Sequence, residues 1–123
     1  MSENEISRLI LDAAFEVHTQ LGPGLLESSY QKCLAFELIE KGLAVELEQP
    51  LPLVYKGHYL DCGYRLDIWV NRKVIVEIKS VVELNDIHMA QILTYLKLTN
   101  THLGLLLNFN VRSLKNGIRR VVL

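Results

Sequence analysis

The stretch Arg65-Leu66-Asp67-Ile68-Trp69-Val70-Asn71-Arg72-Lys73-Val74-Ile75-Val76-Glu77-Ile78-Lys79 decides the fold of this chain. Two runs rich in Val and Ile flank a turn signal at Asn71-Arg72, which reads as two antiparallel strands. Asp67, Glu77 and Lys79 interrupt these otherwise apolar strands. Side chains alternate along a strand, so Glu77 and Lys79 project to one side while Val76 and Ile78 project to the other. A three-residue connection, Asn71 to Lys73, sets residue 70 opposite 74 and therefore Asp67 opposite Glu77. A two-residue connection sets 67 opposite 76 and sends Glu77 to the other face. With the longer turn, two carboxylates face each other at about 5 Å between Cβ atoms, where they repel and where a cation makes the pair favourable. Hard oxygen ligands favour Mg²⁺ or Mn²⁺ over zinc. Lys79 could then orient or deprotonate a water, or neutralise charge developing on a phosphate.

Outward from this hairpin, the periodicity predicts two helices at the start of the chain. Ile6, Leu9, Ile10, Ala13, Ala14, Val17 and Leu21 form one face of a 3.6-residue period. Ser2 and Glu5 suggest a capping box, and Gly22-Pro23-Gly24 stops the helix. A second helix is expected from about Leu26 to Lys41, with Leu26, Tyr30, Leu34 and Leu38 on its stripe, ended by Gly42. Residues 44–56, 59–70 and 73–80 read as three antiparallel strands, with Lys56-Gly57 as the first turn. A third helix is expected over Asp86 to Leu98, capped by Asn85 or Asp86, burying Ile87, Ala90, Ile92, Leu93 and Leu96. Leu103 to Phe109 reads as a buried strand, Asn116-Gly117 as a turn, and Ile118 to Leu123 as an edge strand or docked tail. The order is ααβββαβ(β), an α/β (α+β) class chain without internal repeats.

Composition bounds the possibilities. The chain has 123 residues, 50% hydrophobic and 22% charged, with a net charge of -1. That describes one soluble domain over residues 1–123, able to bury roughly two thirds of its unfolded surface without staples. The apolar runs are too short to span a membrane. The acidic, polar start MSENEISR is unlike a secretory signal, so a cytoplasmic location is expected. Cys33 and Cys62 lack metal or redox spacing and read as reduced, packed thiols. Residues 1–50 carry nine acids and three bases, and residues 51–123 carry five acids and ten bases. A polyanion would therefore meet Arg65, Arg72, Lys73 and Lys79, or Arg112, Lys115, Arg119 and Arg120, although a pI near 6.4 argues against strong nonspecific nucleic-acid binding.

Asp67 followed by Glu77-Ile78-Lys79 resembles the PD-(D/E)XK nuclease superfamily, whose core order is αβββαβ. Gly24-Leu25-Leu26-Glu27-Ser28-Ser29-Tyr30 is similar to the motif that names the GxxExxY family, a small branch of that superfamily. Tyr64-Arg65 ahead of the Asp strand fits the same pattern, and Gln91 to Tyr95 is similar to the QxxxY helix of RecB-type nucleases. Leu66 stands where the superfamily often has proline, a departure that leaves the strand's entry geometry open.

The resemblance implies a restriction-endonuclease-like core, a central mixed sheet flanked by helices. It implies Asp67, Glu77 and Glu27 as catalytic acids and metal ligands, the Ile78 carbonyl as a backbone ligand, and Lys79 as the catalytic lysine. Glu27 with Tyr30, and Gln91 with Tyr95, each share a helical face and could project together towards the carboxylates. Gln91, Tyr95, Tyr30, Arg65 and His18 are the supporting candidates. Each also has a structural reading. Glu27 in a first helical turn is stabilised by the helix dipole, Tyr30 and Tyr95 are also plausible core aromatics, and His18 reads equally as a hydrogen-bonded structural histidine. His88 and His102 read as surface residues.

Two functions follow. One is a Mg²⁺- or Mn²⁺-dependent nuclease acting on DNA or RNA. The other is a noncatalytic nucleic-acid- or protein-binding module that keeps the fold. The short chain leaves little room for a separate recognition region, so either version invites a homodimer or a protein partner to complete the groove.

Overall fold

The computed structural model describes all 123 residues. In chain order the elements are α1 (Glu3–Leu21), α2 (Glu27–Glu40), β1 (Val45–Pro50), β2 (Leu53–Tyr55), β3 (His58–Leu60), β4 (Arg65–Val70), β5 (Val74–Lys79), α3 (Asp86–Thr99), β6 (Leu103–Asn108), a 3₁₀ turn at Leu114–Gly117 and β7 (Ile118–Val122). Five strands form one sheet in the order β1-β4-β5-β6-β7, and β2 and β3 form a separate hairpin. Only the β5–β6 pair is parallel, with α3 as its crossover, so the sheet is mixed.

The strands expected over 44–56 and 59–70 each divide in two. Pro50 and Pro52 lack an amide for the ladder, which ends β1 where it would have run on into the hairpin. Leu51 still donates to the Tyr64 carbonyl at 3.0 Å, after which β2 and β3 pair only with each other, joined by the two-residue turn Lys56-Gly57. The Asp61 carboxylate accepts from the Gly63 amide at 3.0 Å and closes the bend that returns the chain to β4.

Helices pack on both faces. α1 and α2 cover one face, where Ile10, Ala14, Tyr30 and Leu34 meet Val70, Val74, Val76 and Leu105. On the other face Ile92, Tyr95 and Leu96 of α3 meet Leu66, Ile75, Leu106 and Val121. Here the expected face of α3 needs correction: Ile87 is 75% exposed and Ala90 is exposed, while Tyr95 takes the buried place. α3 also lies close on the sheet, because a Cβ added at Gly104 of β6 would stand 2.9 Å from Ile92 Cδ1. A larger residue there would require the Ile92 side chain to shift.

Ser2 Oγ accepts from the Glu5 amide at 3.1 Å, the forward half of the expected box. The full box belongs to α3, where Asn85 and His88 cap each other, so His88 is a capping residue. Leu26 is the N-cap of α2 and exposed. Cys33 and Cys62 are free thiols, but both are exposed, which corrects their reading as packed residues. Several basic residues have local partners: Arg72 pairs with Glu46 at 2.9 Å and lies over the Trp69 ring at 4.7 Å, and Arg120 reaches Asn4 at 2.7 Å.

Candidate functional site

β4 and β5 pair in the register set by the three-residue turn, with Val70 opposite Val74 and Ile68 opposite Val76. Asn71 and Arg72 both adopt positive φ, which tightens that turn. Beyond Ile68–Val76 the ladder gives way to side chains. The Asp67 amide donates to Glu77 Oε2 at 2.9 Å, and the Ile78 amide donates to Asp67 Oδ2 at 2.8 Å. Each carboxylate thus accepts a backbone hydrogen bond from the opposite strand. β4 also rolls here: Leu66 packs against α3, whereas Ile68 and Val70 pack against α1 and α2. A regular strand would put all three on one face.

Glu77 is held out of water, whereas Asp67 is half-buried at a pocket wall. Glu77 is 3% exposed. Burial, reinforced by the charge of Asp67, raises its carboxyl from the ordinary range to about 8. Burial likewise raises Asp67 to about 6, against the pull of the Ile78 amide and with Glu48 adding to the rise. Both shifts disfavour the charged pair.

On the α2 side, Asp67 lines a small pocket of about 230 Å³ with Glu27, Ser28, Gln31, Glu48 and Ile78. Glu27 begins α2, and its Oε2 accepts from the Ser80 amide at 3.2 Å, just past the end of β5. Ser80 Oγ donates to the Leu25 carbonyl at 2.8 Å, lashing the same corner. Tyr30 does not reach the carboxylates. Its hydroxyl donates to the Gly22 carbonyl at 2.6 Å and accepts from the Leu25 amide at 3.1 Å, while its ring stacks on Phe109 at 4.6 Å. Gly24 supplies the positive φ of 96° that this corner demands. The segment Gly24-Leu25-Leu26-Glu27-Ser28-Ser29-Tyr30 is therefore a corner that mounts Glu27.

On the α3 side, a cleft of about 510 Å³ is lined by Lys79, Gln91, Tyr95, Tyr64, His88 and Leu53, among others. Lys79 Nζ donates to Gln91 Oε1 at 3.4 Å, and Gln91 Nε2 donates to the Tyr95 hydroxyl at 3.1 Å. Burial, then the charge of Glu77, raises the Tyr95 hydroxyl to about 12. Gln91 and Tyr95 thus join the Lys79 side of the site. Arg65 does not: it is exposed and donates to the neighbouring Tyr64 carbonyl. His18 is also elsewhere, 2.7 Å from the Val111 carbonyl and against Phe109. Its structural reading is the one the contacts support.

Two neighbours of Asp67 escape a reading of spacing alone. Gln31, buried on α2, donates to Glu48 Oε1 at 3.0 Å and to the Asp67 carbonyl at 2.8 Å. Glu48 adopts φ +50° on β1 between the pairs Leu47–Ile68 and Gln49–Leu66, which sets it beside Asp67. The only sequence signal for Gln31 is its place four residues after Glu27, on the same helical face.

No three of the His, Cys, Asp and Glu side chains are gathered into a ready-made metal cluster. The donor chemistry of Asp67 and Glu77 nonetheless suits a hard divalent cation. Mg²⁺ binds through one or two carboxylates and keeps several waters. Asp67 Oδ1 and Glu77 Oε1 take no hydrogen bond, and a cation would compensate the repulsion between a half-buried and a buried carboxylate.

A mixed five-stranded sheet between helices, with Asp67 and Glu77-Ile78-Lys79 on its central antiparallel pair, is a restriction-endonuclease-like fold. The family model for the PD-(D/E)XK nuclease superfamily matches residues 4–121, and the chain belongs to that superfamily. No curated protein and no solved structure matches the chain. No helix is long and apolar enough to cross a membrane.

Proposed function

We propose that this protein is a divalent-metal-dependent nuclease of the GxxExxY branch, hydrolysing phosphodiester bonds in nucleic acid. One observation carries the reading: half-buried Asp67 and buried Glu77 are fixed to each other's strands at the point where β4 and β5 separate. The subfamily assignment is supported by Gly24, Glu27 and Tyr30 acting as one unit of the α2 corner.

Asp67 and Glu77 would hold Mg²⁺ or Mn²⁺, with the Ile78 carbonyl and Glu27 as further oxygen donors. When bound, the ion supplies charge to a phosphate and lowers the pKa of a coordinated water. Lys79 sits two residues beyond Glu77, and Gln91 restrains its Nζ, which aims an ammonium group at the negative charge that develops on the phosphate. Tyr95 fixes Gln91 from behind. Gln31, itself held by Glu48, donates to the Asp67 carbonyl and so fixes the backbone that carries the carboxylate.

The test is an assay of single- and double-stranded DNA and RNA with Mg²⁺ and Mn²⁺. Asp67→Asn, which keeps an acceptor for the Ile78 amide, and Lys79→Ala should each lower cleavage by roughly 10²–10⁴. Cleavage that survives both substitutions sinks the reading. The second reading is a noncatalytic nucleic-acid-binding module on the same fold. It predicts binding without cleavage in either metal.

A further inference from the structure

Resting on the nuclease reading, we propose that the β2–β3 hairpin is a gripping arm for single-stranded nucleic acid, with Tyr55 stacking an unpaired base next to the Lys79 cleft. The hairpin hydrogen-bonds to no strand of the main sheet. All three residues of β3 are exposed, as are Val54 and Tyr55 of β2. Such an arm adds little to the core, yet it carries two large aromatics at its end.

Its base belongs to the cleft. Leu53, at the start of β2, and Tyr64, just after the hairpin, line the same cavity as Lys79, Gln91 and Tyr95. Alternation puts Tyr55 on the same face as Leu53, about 6.6 Å further along the strand. The register sets His58 opposite Tyr55 on that face, and Val54 opposite Tyr59 on the other. Tyr55 is 58% exposed, with Lys56 Nζ 5.6 Å from its ring centre.

The local charge suits a phosphate backbone. Lys56 stands at the tip and Arg65 at the return, against one acid, Asp61. An exposed ring flanked by cations matches how sequence-tolerant proteins hold single strands, by base stacking along a basic track. Paired bases within a duplex have both faces already stacked, so this platform selects unpaired ones.

The experiment measures binding of labelled oligothymidylate, alone or annealed to oligoadenylate, to the full chain in Ca²⁺ by fluorescence anisotropy. Tyr55→Ala should weaken single-strand binding by about tenfold, the size of one lost base–aromatic stack, and Tyr55→Trp should restore it. Tyr59→Ala, on the opposite face, should leave it unchanged. Melting temperatures equal to wild type show that these exposed substitutions leave the fold intact. Single-strand binding by Tyr55→Ala equal to wild type overturns the arm, as does an equal loss in Tyr59→Ala or a preference for duplex. Should wild type cut nucleic acid while Tyr55→Ala binds and cuts equally well, the arm falls and the nuclease reading stands. Should wild type neither bind nor cut, both fall.

Discussion

Glu77 Oε2 accepts the Asp67 amide hydrogen at 2.9 Å, so a candidate catalytic acid on β5 stands in for a missing rung of the sheet. The site is thereby part of the ladder that holds the fold. Removing either carboxylate removes a backbone partner as well as a ligand, and isosteric substitutions separate the two effects.

The pH dependence of stability follows from the raised carboxyls. An acid whose pKa is higher in the folded state binds more protons folded than unfolded. Below about pH 4 both states are protonated and no cost arises. As pH rises through the folded values, about 6 for Asp67 and about 8 for Glu77, the native state must carry charge that burial disfavours. In chelator, the melting temperature should therefore fall between about pH 4 and pH 8. Glu77→Gln should flatten most of this decline; a profile as steep as wild type refutes the assignment.

Divalent metal should reverse the same cost. Mg²⁺ or Mn²⁺ at a hundred times its dissociation constant contributes about 2.7 kcal/mol of apparent stability. Thermal melts should thus rise by several degrees on adding metal, and more at pH 8 than at pH 5.5, where protons compete for the carboxylates. Asp67→Asn should abolish the rise. An equal rise in that variant would place the metal elsewhere.

Tyr30→Phe tests the corner. The ring keeps its stack on Phe109, but the Gly22 carbonyl and Leu25 amide lose a buried partner, which costs about 1–3 kcal/mol. A melting temperature within error of wild type would show that the hydroxyl does not clamp the loop.

Gly104→Ala probes the seating of α3. The new methyl meets Ile92 Cδ1 at 2.9 Å, the end of a side chain that can shift, so the cost is about 1 kcal/mol, the low end for overpacking. The double substitution Gly104→Ala with Ile92→Val should recover part of the loss in denaturant melts. A single variant as stable as wild type would mean that α3 yields freely.

Much of the fold is legible in the sequence. Because a hairpin's pairing sum is constant, the sequence narrows the register to two turn lengths, and the structure takes the three-residue one, with Val70 opposite Val74. The glycines and prolines likewise mark the helix ends. Helical spacing was less informative about where a side chain ends. It puts Tyr30 on the face of Glu27, but the phenol is long enough to reach back to Gly22 instead. Glu48 was invisible for another reason. It looks like any exposed strand acid until β1 pairs with β4, a contact between residues about twenty apart in sequence that local patterns do not encode. The break of β1 from β2 was written in Pro50 and Pro52, but the apolar run around them masks it.

Trp69 is the chain's one tryptophan, and it lies on β4 two residues from Asp67, beneath the Arg72 guanidinium. Indole emission from this protein therefore has a single origin. Its colour and quenching report on the strand that bears Asp67, without a label and separately from the five tyrosines. A titration followed by that light would read events at β4 alone.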